Sequence, residues 1–195
     1  MTASMAVPAT ANRMTCAALA WLLAFALAGC SSVQVNQDWD PGADFGRLKT
    51  WAWQSSTPAL TGNPRLDDPL LHARIQAAIE KSLSEKGYRK VTSGKPDFLV
   101  TYHVALQQKL DAHTIYTGYG PYRGWAAVGG ARTVVDTYDV GTLLIDFISL
   151  ETNDVIWRGS AQSRIHELNT PEERQKRIQD VVDRVLNQFP PKSKT

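Results

Sequence analysis

The stretch TYDVGTLLIDFISLETNDVIWRGSAQSRIH, residues 137–166, decides the fold, because two strand-like runs flank a short polar segment. β-Branched and aromatic side chains are frequent in both runs, from Thr137 to Leu150 and from Val155 to His166. The segment between them, Glu151-Thr-Asn-Asp154, has the composition of a tight turn, and a tight turn joins neighbouring strands in opposite directions. The pattern therefore predicts an antiparallel hairpin within a sheet.

Three further strands are predicted before this hairpin, at Val33 to Trp39, Leu48 to Trp53 and Asp97 to Gln107. In the third of these, large apolar side chains at alternate positions are typical of a partly buried strand. The strands also carry four tryptophans, and we expect these to pack in the core or on a sheet face rather than to stack on a sugar. They are Trp39, Trp51, Trp53 and Trp157.

Two helices are predicted from apolar stripes that recur at helical spacing. Each has a polar N-cap, a proline in its first turn and a stop signal. The second also has a capping box, because Glu173 stands three residues after its N-cap. The first helix takes its signals from Asp67 or Asp68, Pro69 and Gly87, and the second from Thr170, Pro171 and Pro190-Pro191.

These elements predict the fold class. Two one-sided helices and about five strands favour an α+β fold, a two-layer sandwich with a largely antiparallel sheet and both helices packed on one face. No internal repeat or change of composition divides residues 33–191, so we expect a single domain there, followed by a tail at 192–195. The order of the strands does not follow from the sequence.

The segment His113 to Asp136 interrupts the strand pattern, because glycines and aromatic residues alternate there. We expect a long loop or a poorly ordered hairpin tip, and loops of this length are usually functional or mobile. Amphipathic rings among glycines are suited to contact with a partner, a ligand or lipid headgroups, although a self-packed loop is an equal alternative. The candidate binding residues are Tyr116, Tyr119, Tyr122 and Trp125.

The N-terminus has the layout of a secretory signal peptide. A single charged residue, Arg13, precedes the apolar run Cys16 to Ala28, which is shorter than the ~20 residues that a membrane-spanning helix needs. The next residues complete Leu27-Ala-Gly-Cys30, which matches the bacterial lipobox. We therefore predict that residues 1–29 are removed by cleavage between Gly29 and Cys30.

Lipidation of Cys30 is predicted from the same motif, because a lipoprotein carries its diacylglyceryl group on a cysteine sulfur through a thioether. Several acyl chains give a stable membrane anchor, whereas one chain binds only marginally. Residues 30–32 then form the lipidated end and a short tether. In enteric-type sorting, an Asp directly after the lipidated cysteine retains a lipoprotein in the inner membrane. Ser31 stands at that position, so it favours the periplasmic face of the outer membrane.

Composition excludes several function classes. The net charge of +2 is too small to gather phosphates, so we expect no nucleic-acid partner. Cys16 leaves with the signal peptide and Cys30 is lipidated, so no thiol remains for nucleophilic catalysis. The four histidines, His72, His103, His113 and His166, have no ligand spacing, and no phosphate-binding loop precedes a helix. We therefore expect neither a metal nor a cofactor.

Three carboxylates, Asp97, Asp146 and Asp154, are candidates for acid/base catalysis, and the enzyme hypothesis uses Asp146 and Asp97. Asp146 stands among apolar neighbours in Leu143-Leu-Ile-Asp-Phe-Ile148, where burial raises a carboxyl pKa unless a partner such as His103 or Arg158 compensates. Asp97 begins a predicted strand, which would hold its side chain rigidly. A structural role for Asp146 is favoured over catalysis: either its face of the sheet is open to solvent, or it bonds to a side chain on a neighbouring strand.

With these residues identified, the chain resembles the bacterial lipoprotein family of domain of unknown function 4136. The resemblance implies an envelope location and a small α+β domain, and it supplies no catalytic residues. It covers almost the whole predicted mature domain. The matching pieces are Asp38-Trp-Asp40, Asp44-Phe45, Lys49-Thr-Trp-Ala-Trp53, Asp97-Phe-Leu-Val-Thr-Tyr102, Gly141-Thr-Leu-Leu-Ile-Asp146, Ile156-Trp-Arg-Gly-Ser-Ala161 and Phe189-Pro-Pro191.

Three functional hypotheses follow. The leading one is a non-enzymatic, periplasm-facing lipoprotein that binds or scaffolds components of the cell envelope, with an envelope protein complex or peptidoglycan as its partner. The second is an accessory subunit of an envelope transport complex, which rests on analogy of location. The third and weakest is an enzyme that acts on envelope glycan or lipid through Asp146 and Asp97.

Overall fold

A computed structural model describes residues 33–55, 60–117 and 130–192, without the side chains of 115–117 and 130–132. These residues belong to one compact unit that spans 32–195. Its elements, in chain order, are β1 (Gln34–Trp39), a 3₁₀ turn (Phe45–Arg47), β2 (Thr50–Trp53), α1 (Pro69–Glu85), β3 (Arg89–Lys90), β4 (Phe98–Thr117), β5 (Gly130–Ser149), β6 (Val155–Arg164) and α2 (Pro171–Leu186).

The sheet has the order β1-β6-β5-β4-β2-β3. Its three long interfaces are antiparallel, whereas β2 pairs in parallel with β4 and with β3. The predicted α+β class is confirmed, but the sheet is mixed and has six strands rather than about five. The additional strand, Arg89–Lys90, is too short and too polar to show a hydrophobic period.

The predicted hairpin is present as the β5–β6 pair. Phe147 lies opposite Trp157, and a register irregularity follows before Ile148 pairs with Val155. The backbone N–H of Ser149 donates to the Asp154 carbonyl at 2.9 Å, which closes the turn. Asn153 takes a positive φ of 60° there, a conformation that Asn tolerates better than most residues.

Both helices begin where their capping signals predict. Asp68 is the N-cap of α1, because its carboxylate accepts from the Leu70 N–H at 2.9 Å, while Asp67 instead binds the preceding loop. The capping box of α2 is formed, with the Glu173 N–H donating to the Thr170 hydroxyl at 3.1 Å. Within the described ranges, no helix is long and apolar enough to cross a membrane.

The core lies between one face of the sheet and the two helices. Phe189 is central to it, because its ring lies 4.6 Å from the Phe147 ring and 5.2 Å from the Trp157 ring, centre to centre. Gly159 lets this cluster close, since a Cβ there would approach Val185 Cγ1 to 2.5 Å. All four predicted tryptophans pack here, Trp51 and Trp157 buried and Trp39 and Trp53 half-buried.

Candidate functional site

A two-stranded arm extends beyond the rest of the sheet. Strands β4 and β5 are each 20 residues long and stay paired out to Thr117 opposite Gly130. Their outer neighbours stop earlier: β2 reaches only as far as Val100, and β6 reaches only as far as Val140. We define the arm as residues 108–117 and 130–139, and among the described residues no third strand is paired with it.

Of the two alternatives predicted for residues 113–136, a long loop or a hairpin tip, the arm corrects the first for the described residues 113–117 and 130–136. Glycine-rich composition suggested that both strands end early, yet β4 continues to Thr117 and β5 resumes at Gly130. The physical reason is the run Thr133-Val-Val135, whose β-branched side chains favour extended backbone and lie opposite Ala112, His113 and Thr114. The two strands support each other through cross-strand pairing.

The two faces of the arm differ in charge. Successive strand residues point to opposite faces, so the register assigns the described side chains beyond the pair Gln108–Asp139 to two groups. Beyond that pair, the described side chains on the helix side of the sheet carry no charge, and we call this part the uncharged face. It consists of Leu110, Ala112, Thr114, Thr133, Val135 and Thr137.

Large apolar side chains on the uncharged face are open to solvent. Leu110 has 72% of its surface exposed and Val135 has 55%, although the same face of the sheet is buried under helices nearer the domain centre. Lone exposed apolar residues need no explanation, but these two belong to one continuous uncharged surface. The arm therefore presents an apolar surface that the domain itself leaves uncovered.

The opposite face of the arm is charged and internally paired. Asp111 lies directly opposite Asp136, and like charges in that position destabilise a strand pair. His113 lies between them, with Nε2 at 3.0 Å from Asp136 Oδ2 and Nδ1 at 3.6 Å from Asp111 Oδ1. Both carboxylates therefore contact one imidazole, and the sequence had given His113 no role.

At its base the arm is tied to the domain by charged side chains. Arg65 Nη1 lies 2.7 Å from Asp139 Oδ2, which connects the loop before α1 to β5. On the other face, the Arg164 guanidinium carbon lies 3.7 Å from the centre of the Tyr138 ring, a cation–π contact. An open cleft of about 970 Å³ adjoins the base, and its lining carries both signs of charge.

Asp146 is held by a cross-strand ion pair. Its side chain is only 3% exposed and accepts two hydrogen bonds from Arg158, at 2.6 Å from Nε and 2.7 Å from Nη2. These bonds to Asp146 raise the pKa of the Arg158 guanidinium. Of the two predicted partners the structure selects Arg158, while His103 lies opposite Leu144 and is exposed. The favoured structural reading of Asp146 is confirmed.

Asp97 holds β2 against β4. Its Oδ2 accepts from the Thr50 N–H at 2.7 Å, the Lys49 N–H at 2.9 Å and the Thr50 hydroxyl at 2.8 Å. The two backbone hydrogen bonds, that of Thr50 first, lower the pKa of this carboxyl. A carboxylate stabilised in its charged form is a weak base, so the geometry gives Asp97 a structural task.

A buried histidine and tyrosine meet between α1 and the sheet. His72 Nδ1 lies 2.9 Å from the Tyr102 hydroxyl, and burial raises the pKa of Tyr102 to about 12. The other ring nitrogen of His72 is buried without a hydrogen-bond partner. No three His, Cys, Asp or Glu side chains are grouped in a way that suits a metal ion anywhere in 33–55, 60–117 and 130–192.

Several predicted site residues lie outside the described residues. These are the cleavage position Gly29, the lipidation site Cys30 and the aromatic residues Tyr119, Tyr122 and Trp125. Tyr116 belongs to β4, opposite Ala131, and its side chain is not described. The four aromatic candidates therefore stay predictions. The structure adds Leu110 and Val135 to the candidate binding residues, and the sequence signal for them is that each stands next to a charged residue, Lys109 or Asp136, in an alternating strand pattern.

Comparison with solved structures finds a protein of similar fold. A PDZ domain protein from Parabacteroides distasonis aligns over 90% of this chain and 40% of its own, with 16% identity and a TM-score of 0.51. The PelC dodecamer from Paraburkholderia phytofirmans covers 80% of this chain and 96% of its own, with 13% identity and a TM-score of 0.44. No curated protein matches. A family model matches residues 35–191, and the chain therefore belongs to the family described as domain of unknown function DUF4136.

Proposed function

We propose that this chain is a membrane-anchored, periplasm-facing lipoprotein that acts as a non-enzymatic binding or scaffolding module of the bacterial cell envelope. The observation that carries the binding role is the arm, which presents an uncharged surface and, beyond Asp139, two edges with which no other described strand pairs. Unpaired edges and uncovered apolar faces are the features through which sheets recognise partners.

The proposed anchor rests on the sequence Leu27-Ala-Gly-Cys30 behind a charged start and a short apolar run. Acyl chains on Cys30 would hold the domain at the outer membrane without any basic surface, which agrees with the net charge of +2. No other part of the proposal depends on the membrane being the outer one.

The two residues named for the enzymatic alternative, Asp146 and Asp97, both make structural hydrogen bonds. Asp146 accepts two hydrogen bonds from the Arg158 guanidinium, and Asp97 Oδ2 accepts from the backbone N–H groups of Lys49 and Thr50. General acid/base catalysis needs a carboxyl group that reaches a substrate proton, and each of these groups is already engaged. We therefore assign neither residue to catalysis.

Metabolic labelling with palmitate tests the anchor. The intact chain and a Cys16→Ser variant are expected to incorporate the label equally, because Cys16 lies inside the segment predicted to be removed. A Cys30→Ser variant should incorporate none. Equal labelling of Cys30→Ser, or loss of labelling in Cys16→Ser, would show that the lipobox assignment is wrong.

Photo-crosslinking in intact cells tests the binding role. A photoreactive amino acid at Val135, on the arm, is expected to form adducts with envelope material, whether lipid, glycan or protein. The matched control is Glu151, which is also exposed but lies in the β5–β6 turn at the other end of the sheet. A single dominant transport complex would identify the accessory-subunit role, and no more adducts at Val135 than at Glu151 would contradict the arm as the contact surface.

A further inference from the structure

The chain enters the domain at the same end of the sheet from which the arm leaves. Gln34, the first residue of β1, pairs with Gln162, which pairs with Thr142, which pairs with Ala105. From this row, β1 runs away from the arm toward Trp39, and β4 runs the other way into the arm. The entry point of the chain is therefore beside the arm's base.

Covalent geometry limits how far the lipidation site can be from that row. Cys30 is four residues before Gln34, and such a segment reaches at most about 14 Å when fully extended. From Ala105 to Thr117 the strand β4 extends about 40 Å at about 3.3 Å per residue. The arm is longer than the tether and begins beside the point where the tether ends. If the arm pointed straight at the membrane, it would therefore have to enter the bilayer.

The position of the domain body removes the opposite orientation. The remainder of β1, together with β2 and β3 and the buried core around Val100 and Phe147, extends from the Gln34 row in the direction away from the arm. A bilayer within about 14 Å of Gln34 on that side would overlap the folded body. The arm must therefore run along the membrane surface or lean onto it.

The two faces of the arm decide which one meets the lipid. Contact with a bilayer removes water from side chains, and desolvating Asp111, His113 or Asp136 would be unfavourable. The uncharged face presents Leu110 and Val135, which gain from the same transfer, together with small and hydroxyl side chains. Side-chain chemistry thus selects the uncharged face as the one that meets the lipid.

We propose that the uncharged face of the arm lies on the lipid bilayer into which the acyl chains of Cys30 insert. This inference rests on the proposed lipid anchor and extends it, because the anchor and the arm together fix the tilt of the domain. With two separate attachments, the charged arm face is held toward the periplasm, and the two helices, which pack on the same side of the sheet as the uncharged face, are on the membrane side. A protein partner on the same face is the competing occupant.

Fluorescence quenching of the reconstituted lipoprotein tests this orientation. The full lipidated chain, in vesicles of phosphatidylethanolamine and phosphatidylglycerol, is labelled at a cysteine introduced by Leu110→Cys or by Lys109→Cys. These adjacent residues lie on opposite faces of the arm, and both are exposed, so neither change disturbs the core. Cys30 is acylated and Cys16 is removed, so the introduced thiol is the single labelling site.

The two labels are expected to respond in opposite ways. The Leu110→Cys label should shift to the blue, lose fluorescence to lipids brominated near the headgroup and resist aqueous iodide, whereas the Lys109→Cys label should respond only to iodide. Val135→Cys and Asp136→Cys provide a second pair with the same expectation. Circular dichroism on each variant confirms that the sheet is intact.

Each contrary result identifies what has failed. If the protein does not float with the vesicles, the anchor and this inference both fall. If it floats and both labels respond equally to iodide, the anchor stands and the lipid contact is wrong. If the Leu110→Cys label is shielded from iodide but is not quenched by brominated lipid, a protein surface covers the face, and the inference is overturned in favour of that occupant.

Discussion

Strands β4 and β5 pass through two regions with opposite environments. In the body of the domain, Val100 lies opposite Phe147 and both are fully buried beneath the helices. In the arm, on the same face of the same strands, Leu110 lies opposite Thr137 and is 72% exposed. One pair of strands therefore supplies both the centre of the core and a largely exposed apolar surface, which teaches that the residue pattern of a strand does not by itself set burial.

The difference follows from what each region is packed against. The body has six strands and two helices, and its aromatic side chains fill the space between the layers. A two-stranded hairpin without a covering layer is marginal in water, so the arm depends on its base and on cross-strand pairs. We therefore expect that changes in the body alter stability, while changes in the arm alter contact.

The largest effect is expected from Phe147→Ala. The Phe147 ring is fully buried and lies 4.8 Å from the Trp157 ring and 4.9 Å from the Phe98 ring. Its removal leaves a cavity at the centre of the core, and the free energy of unfolding should fall by about 3–5 kcal/mol. Urea denaturation followed by tryptophan fluorescence measures the loss, and a loss no larger than that of Val135→Ala would contradict the division between body and arm.

A smaller and asymmetric effect is expected at the Asp146–Arg158 pair. Arg158→Leu leaves a buried carboxylate without its two donors, and the free energy of unfolding should fall by about 1–3 kcal/mol. Asp146→Leu removes the buried charge and leaves a guanidinium whose side chain is already 49% exposed, so it should cost less. Thermal melting shows which of the two variants loses more stability. A larger loss in Asp146→Leu than in Arg158→Leu would show that Asp146 does not depend on Arg158.

Local signals in the sequence located most elements of the body but not their arrangement. The N-cap Asp68, the capping box of α2 and the turn before β6 each depend on a few neighbouring residues, so the sequence predicts them well. The parallel pairing of β2 with β4 depends on Asp97, whose bonds to Lys49 and Thr50 join segments far apart in the chain. Such long-range contacts leave no local pattern.

The arm was missed for a different physical reason. Its pattern of alternate charged and uncharged residues is the pattern of an ordinary half-buried strand, but the glycines around it resemble a loop. Whether an alternating strand is covered depends on how far the helices extend, and this is set by the whole fold. The same limit applies to Asp146. The sequence leaves His103 and Arg158 as its possible partners, and only the strand register shows that Arg158 lies opposite it.

Acid stability provides a finer test of the body. The pKa of Asp97 is lowered in the folded protein, so its contribution to stability is present above the ordinary pKa of Asp, about 3.9, and is lost as the pH falls through the folded value. Asp97→Ala should therefore lower stability at pH 7 and change it little at pH 2. Thr50→Val removes the hydroxyl that donates to Asp97 Oδ2 and accepts from the Asp97 N–H, so it should add a weaker version of the same pH dependence to a small constant loss. A loss in Asp97→Ala that is independent of pH would contradict the assignment.

The smallest effect on stability, and the sharpest test of the comparison, is expected from Leu110→Ser combined with Val135→Ser. Both side chains are largely exposed, so each change should alter the free energy of unfolding by less than about 0.5 kcal/mol. Adducts from a photoreactive residue placed at Thr137, on the same face, should nevertheless fall toward the level of the Glu151 control, because the apolar surface has been replaced by hydroxyls. A matched change on the charged face, Lys109→Ser, should leave both measurements unchanged. If the double variant unfolds as readily as Phe147→Ala, the arm belongs to the core; if it keeps full contact, the uncharged face is not the surface that binds.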